Sequence, residues 1–172
     1  MSADYNAAQL TPAQRESAVE DWLLKAAPDR RQALTEWAED GITALECGRE
    51  FSAVRIPAEL IYAAAQGREP EAVDDYLHQA LQGGPIFAGR YWHQYYALVR
   101  PGVAARWEHR GVSLLDRDVQ LGVPHPALIR CTPGHPYWCV PLTGPGSVCE
   151  TQTVAQLLDV GRLRLAGEGA AR

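Results

Sequence analysis

Ile42-Thr43-Ala44-Leu45-Glu46-Cys47, then Gly48-Arg49-Glu50, then Phe51-Ser52-Ala53-Val54-Arg55-Ile56 decides the fold class. Residues alternate with period two on both sides of a glycine-centred break, the pattern of a β-hairpin. Pro57 closes the second run and opens a helix to Ala65, and a second helix is expected from about Pro70 to Leu81, where Val73, Tyr76, Leu77 and Leu81 recur at helical spacing. Gly83-Gly84-Pro85 ends it. Short apolar runs bounded by glycine or proline follow at Ile86–Ala88, Tyr91–Val99, Val119–Val123 and Tyr137–Val140, and each reads as a strand. Helices and strands are thus mixed without a repeating βαβ order, which predicts an α+β fold with a mixed or antiparallel sheet packed against helices.

Upstream of Gly41 the reading is helical. Thr11-Pro12 supplies a capping hydroxyl and a first-turn proline, and Pro28-Asp29 breaks that helix and caps another. Residues 1–40 are therefore expected to form a helical hairpin, 41–160 an α+β core, and 161–172 a flexible tail after a last helix that starts at Thr151 or Thr153. The hairpin is acidic: Asp4, Glu16, Glu20, Asp21, Asp29, Glu36, Glu39 and Asp40 face Arg15, Lys25, Arg30 and Arg31. Its early position and acidic surface make it the expected appendage or partner-binding element, with Trp22 and Trp37 either packing down onto the sheet or standing exposed as anchors of the kind that dominates protein interfaces.

A chain of 172 residues with 47% hydrophobic composition has enough apolar material for one core. Neither a membrane-length apolar run nor a signal segment is visible, so a cytoplasmic protein without a membrane partner is expected, with its four cysteines as free thiols or metal ligands. A net charge of −5 disfavours non-specific binding to a phosphate backbone, although residues beyond 40 are nearly balanced and leave room for a local basic surface.

Four groupings carry candidate chemistry. Cys131, His135, Cys139 and Cys149 supply the donors of a zinc site, at spacings unlike the usual paired knuckle; buried thiols are the competing reading. Asp116 and Asp118 flank Arg117, either as a pair of metal-binding carboxylates at a strand end or as a solvated turn. His135 lies in a proline-rich loop and is capable of acid-base or phosphate-binding work near neutral pH. Tyr91, Trp92, Tyr95 and Tyr96, with Trp107 and Trp138 and with Arg90, Arg100 and Arg106 interleaved, make an aromatic-rich sheet that fits either core packing or base stacking, and Arg55, Trp92 and Arg100 are its binding candidates.

Cys47 to Pro57, Gly84-Pro85-Ile86, Tyr96 to Gly102 with Trp107, Val123-Pro124 and Tyr137 to Pro141 together resemble small actinobacterial proteins related to the N-terminal domain of bifunctional DNA primase/polymerases. The likeness covers about residues 41–158. It implies a primase/polymerase-like α+β core related to the RNA-recognition fold, and a metal-dependent nucleotidyl-transfer site. That site's pattern is an acidic pair, a small residue with histidine, and a further acid; Asp116 and Asp118, Gly134-His135, and Asp159 occur here in that order at short intervals. The segment Cys47 to Pro57 lacks paired aspartates. The resemblance therefore implies a reduced member of the group, a binding or accessory protein with an unidentified protein partner or a nucleic acid and no required cofactor. A transferase using a divalent metal at Asp116, Asp118 and His135, or a zinc-stabilised interaction module, is the alternative.

Overall fold

The computed structural model describes residues 10–103, 107, 109 and 111–170. In chain order these form α1 (Pro12–Leu24), α2 (Arg30–Asp40), β1 (Ile42–Glu46), β2 (Ser52–Pro57), α3 (Ala58–Ala65), α4 (Pro70–Ala80), β3 (Ile86–Ala88), β4 (Gln94–Val99), β5 (Ser113–Leu115), β6 (Gln120–Pro124), β7 (Tyr137–Val140) and α5 (Thr151–Ala170). The fold is α+β. A five-stranded antiparallel sheet in the order β5-β2-β4-β3-β7 stands beside a two-stranded antiparallel ribbon of β1 and β6. No helix of the described residues is long and apolar enough to cross a membrane.

The expected hairpin of β1 and β2 is not formed. Glycine at positive φ does turn the chain, with the Gly48 amide donating to the Phe51 carbonyl at 2.8 Å, but the two strands then join different sheets. The cause lies in their side chains. β1 buries only Thr43 and Leu45, as an amphipathic strand does, whereas β2 buries both alternating sets except Arg55 and so fits the interior of a sheet covered on both faces. Ser113–Leu115, not anticipated as a strand, becomes the second neighbour of β2.

Alternation along the strands sends residues to two cores. Val54, Ile56, Ile86, Ala88, Tyr95, Ala97, Tyr137 and Cys139 face the layer formed by α3, α4 and α5. Ala53, Phe87, Leu98 and Trp138 face the opposite layer, where they meet Val19, Trp22, Leu23 and Trp37 of the first two helices and Leu45, Leu121 and Val123 of the ribbon. Both helix starts form as the sequence indicates: Thr11 and Gln14 make a capping box, and Asp29 accepts from the Gln32 amide.

Residues 161 to 170 are not a tail; they continue α5. Their anchor is a close crossing with α3, where Gly161 is buried and the Arg164 guanidinium donates to the Ala64 carbonyl. A Cβ on Gly161 would stand 2.6 Å from the Leu60 carbonyl oxygen, whereas one on Gly167 in the same helix would meet nothing within 4 Å. Opposite outcomes are expected from the same helix. Gly161→Val should destabilise by about 2–3 kcal/mol because backbone must move, and Gly167→Ala should stabilise by up to about 1 kcal/mol through helix propensity. Chemical unfolding of the two variants checks this, and equal shifts would contradict the crossing.

Candidate functional site

The acids and histidine singled out in the sequence do not meet. Asp116 follows β5, and its carboxylate accepts from the Ser52 hydroxyl at 2.6 Å. Asp118 occupies the turn after it at φ 65° and lines a cleft of about 570 Å³ with Cys47, Gly48, Arg49 and Arg117. His135 is exposed in the loop before β7. β5 and β7 are the two edges of the five-stranded sheet, so four interstrand spacings, about 19 Å, separate them.

Register adds a second displacement. Leu115 lies opposite Ala53, whereas Tyr137 aligns through Ala88 and Tyr95 with Ile56. The acidic pair and His135 thus occupy diagonal corners of the sheet, too far apart to share one cation, whose ligands stand 2.0–2.6 Å from it by the usual range of about these values. The reason is topological: between β5 and β7 the chain leaves this sheet to build β6, then re-enters at the far edge. Asp159, the further acid, is exposed on α5.

Of the cysteines, Cys131 and Cys139 come near one carboxylate, Asp74, while Cys47 and Cys149 lie apart from it. Cys149 donates to the Pro85 carbonyl at 3.3 Å, and burial pushes its thiol up to about 12. Cys139 is buried on the face toward α4, and desolvation followed by the Asp74 charge pushes it well up. Cys131 is half-buried and also raised by burial, while Cys47 belongs to the opposite core, pushed up to about 11 by burial and by Asp116. Among the described residues no group of three or more His, Cys, Asp or Glu is placed to hold a metal ion, so the set Cys131, His135, Cys139 and Cys149 is not assembled.

What the fold does bring together was not read from the sequence. Asp74 on α4 accepts from the Tyr137 hydroxyl at 3.0 Å, close to Cys131, Cys139 and Tyr95. Desolvation pushes its carboxyl up to about 6 from 3.8, against hydrogen bonds from Tyr137 and Cys139 that lower it, and with Asp75 and Glu71 raising it further. Asp74 lies just outside the Val73 and Leu77 pair on the helical wheel, at the border of the apolar stripe, and that position was the available signal.

The folded chain holds this proton where the unfolded chain has released it, so the contribution is full below pH 3.8 and is lost as pH rises through about 6. Asp74→Asn should therefore gain on the native chain across that window by ~1–2 kcal/mol, the figure being reduced because the carboxyl is only half-buried. Unfolding midpoints on either side of the window measure it; a difference independent of pH would contradict the assignment.

The residues expected to bind partners separate into closed and open groups. Trp22 and Trp37 are 8% and 5% exposed, and the Trp37 indole donates to the Val123 carbonyl at 3.0 Å. They are core residues, so of the two alternatives they take the one that packs down, and they are not the binding anchors they were candidates for: acids flank them in sequence, but helical spacing turns the rings inward. Trp92 is half-buried, its indole donating to the His135 carbonyl at 3.0 Å and its ring edge-on to Tyr137. Arg100 is exposed just after β4, whose last residue, Val99, pairs with Ser52. Arg55 is exposed on β2, directly opposite Tyr96, with Ser113 on its other side at 3.4 Å.

Two further clefts mark the surface. One, of about 350 Å³, lies among Leu34, Trp37, Ala38, His125 and Leu128, and the other, of about 630 Å³, lies between α3 and α5, where the Arg68 guanidinium stands 5.2 Å over the Tyr62 ring. Fold and surface together define a three-layer α+β protein whose sequence-predicted catalytic groups are apart. Comparison with protein-family models, with curated proteins and with solved structures finds no match.

Proposed function

We propose that this chain is a non-catalytic binding or accessory protein, built on a scaffold resembling the N-terminal domain of bifunctional DNA primase/polymerases and acting through protein or nucleic-acid contacts. One observation carries the reading: Asp116 and Asp118 lie at the corner of the five-stranded sheet diagonally opposite His135. Two-metal nucleotidyl transfer needs its ligands converging on cations about 4 Å apart, and an acidic pair separated from its histidine by the width of the sheet does not supply that. Asp116 is in addition engaged by the Ser52 hydroxyl. Cys47, Cys139 and Cys149 fill the cores as small apolar groups.

The test is extension of a primed template with magnesium or manganese and a mixture of nucleoside triphosphates. No product above the protein-free control is expected. Template-dependent product that disappears with Asp116→Ala would overturn the proposal.

A further inference from the structure

One part of the five-stranded sheet is left uncovered. On the face that packs against α1, α2 and the ribbon, the cross-strand row Ser113, Arg55, Tyr96, Phe87 and Trp138 passes from open to closed: Ser113 and Arg55 are exposed, Tyr96 is half-buried, and Phe87 and Trp138 are sealed. The Tyr96 ring is fixed from behind, stacked on Phe87 with centroids 5.0 Å apart and 22° between planes. Beside it Gly89 leaves room, since a Cβ there would already stand 3.3 Å from the Tyr96 ring. The loop that follows Gly89 carries Arg90, Tyr91 and His93, all exposed.

Arg55 has a hydroxyl neighbour in Ser113 and is in no ion pair found among the described residues. A cation with no carboxylate partner among the described residues, set directly opposite a held aromatic ring, complements a ligand that is flat and anionic at once. The strip lines none of the three clefts described above. It does extend across three strands, about 10 Å, which suits a chain laid over it. The exposed aliphatic residues, Leu34, Leu128, Ile129 and Leu163, are not part of this row, and the exposed apolar group beside it, Tyr91, is a ring that also suits stacking.

We infer that this strip binds single-stranded nucleic acid, with a base stacked on Tyr96 and a phosphate held by Arg55; the inference rests on the binding reading above and names its ligand. Stacking tolerates any base and the arginine reads only charge, so binding is weakly selective for sequence and sensitive to salt.

Fluorescence anisotropy of a labelled oligothymidylate of about 12 nucleotides, and of a duplex of the same length, tests it at low salt. The single strand is expected to bind and the duplex to bind more weakly. Tyr96→Leu should weaken the single strand by about tenfold while Tyr96→Phe leaves it unchanged. Arg55→Ala should weaken it and lower the salt slope by about 0.7, and Arg55→Lys should restore that slope. Unfolding curves of each variant identify any loss of binding that comes from loss of fold, and the exposed Arg55 gives a reading independent of Tyr96. Absence of single-strand binding, equal binding of the duplex, or variants that all bind like the native chain would each overturn the inference. The primer-extension result stays separate: an inert protein that ignores the oligonucleotide sinks this inference alone, and an active one sinks the non-catalytic reading alone.

Discussion

A chain that begins at Gly41 is expected not to fold. The helices before it cover the side of the sheet that carries Phe51, Phe87, Leu98 and Trp138, and they also pack on Leu45 of the ribbon. The ribbon still covers part of these side chains, so each loses a share of the roughly 1.5–3 kcal/mol that full burial is worth, and the shares together take much of the 5–15 kcal/mol or so by which whole domains are stable. The cut also removes the Trp37 indole from the Val123 carbonyl and the Ala26 carbonyl that accepts from Glu46 at the end of β1. The truncated protein should aggregate or bind hydrophobic dyes, with collapsed amide dispersion in its NMR spectrum. A well-dispersed spectrum from residues 41–172 would show that the first two helices are an appendage after all.

Trp138→Ala should be the most damaging single substitution, at about 3–5 kcal/mol. The side chain is 1% exposed and edge-on to Phe87 with centroids 5.0 Å apart. Its indole donates to the Pro124 carbonyl at 3.1 Å, so truncation leaves a cavity and an unpaired acceptor together. Trp138→Phe keeps most of the ring and loses only the hydrogen bond, for which about 1–3 kcal/mol is expected. Urea unfolding of both variants gives the comparison; a cost for alanine no larger than for phenylalanine would mean that this core repacks freely.

Local signals in the sequence specified local structure well. Thr11 and Asp29 cap the helices that they precede, and the period of Val73 and Leu77 placed α4, because capping and amphipathic spacing act within a few residues. Pairing was less legible. The turn at Gly48 marks a reversal, but the partner of each strand is set by which faces must be buried, and that depends on the whole chain. Ser113–Leu115 is three residues long, too short to declare itself by alternation.

The same distinction holds for the candidate site. Asp116 and Asp118 were visible as a pair, and His135 as a loop histidine, but their separation follows from β6 entering the other sheet between them. The Asp74 cluster draws on α4, the loop at Cys131, β4 and β7, and no spacing along the chain announces it. Glycines in α5 misled in the other direction: Gly161 reads as a helix end, yet it is the point where α5 comes close enough to touch the backbone of α3.

Manganese tests the separation of the acids from His135 most directly. Added to isotope-labelled protein with a nucleoside triphosphate, the ion broadens every resonance near the place where it binds. Ring signals of His135 should remain sharp whenever those of residues 116 and 118 broaden, because the two groups stand at opposite corners of the sheet. Concerted loss of the signals of Asp116, Asp118 and His135 at a stoichiometric amount of manganese would place all three around one metal, and would contradict the non-catalytic account.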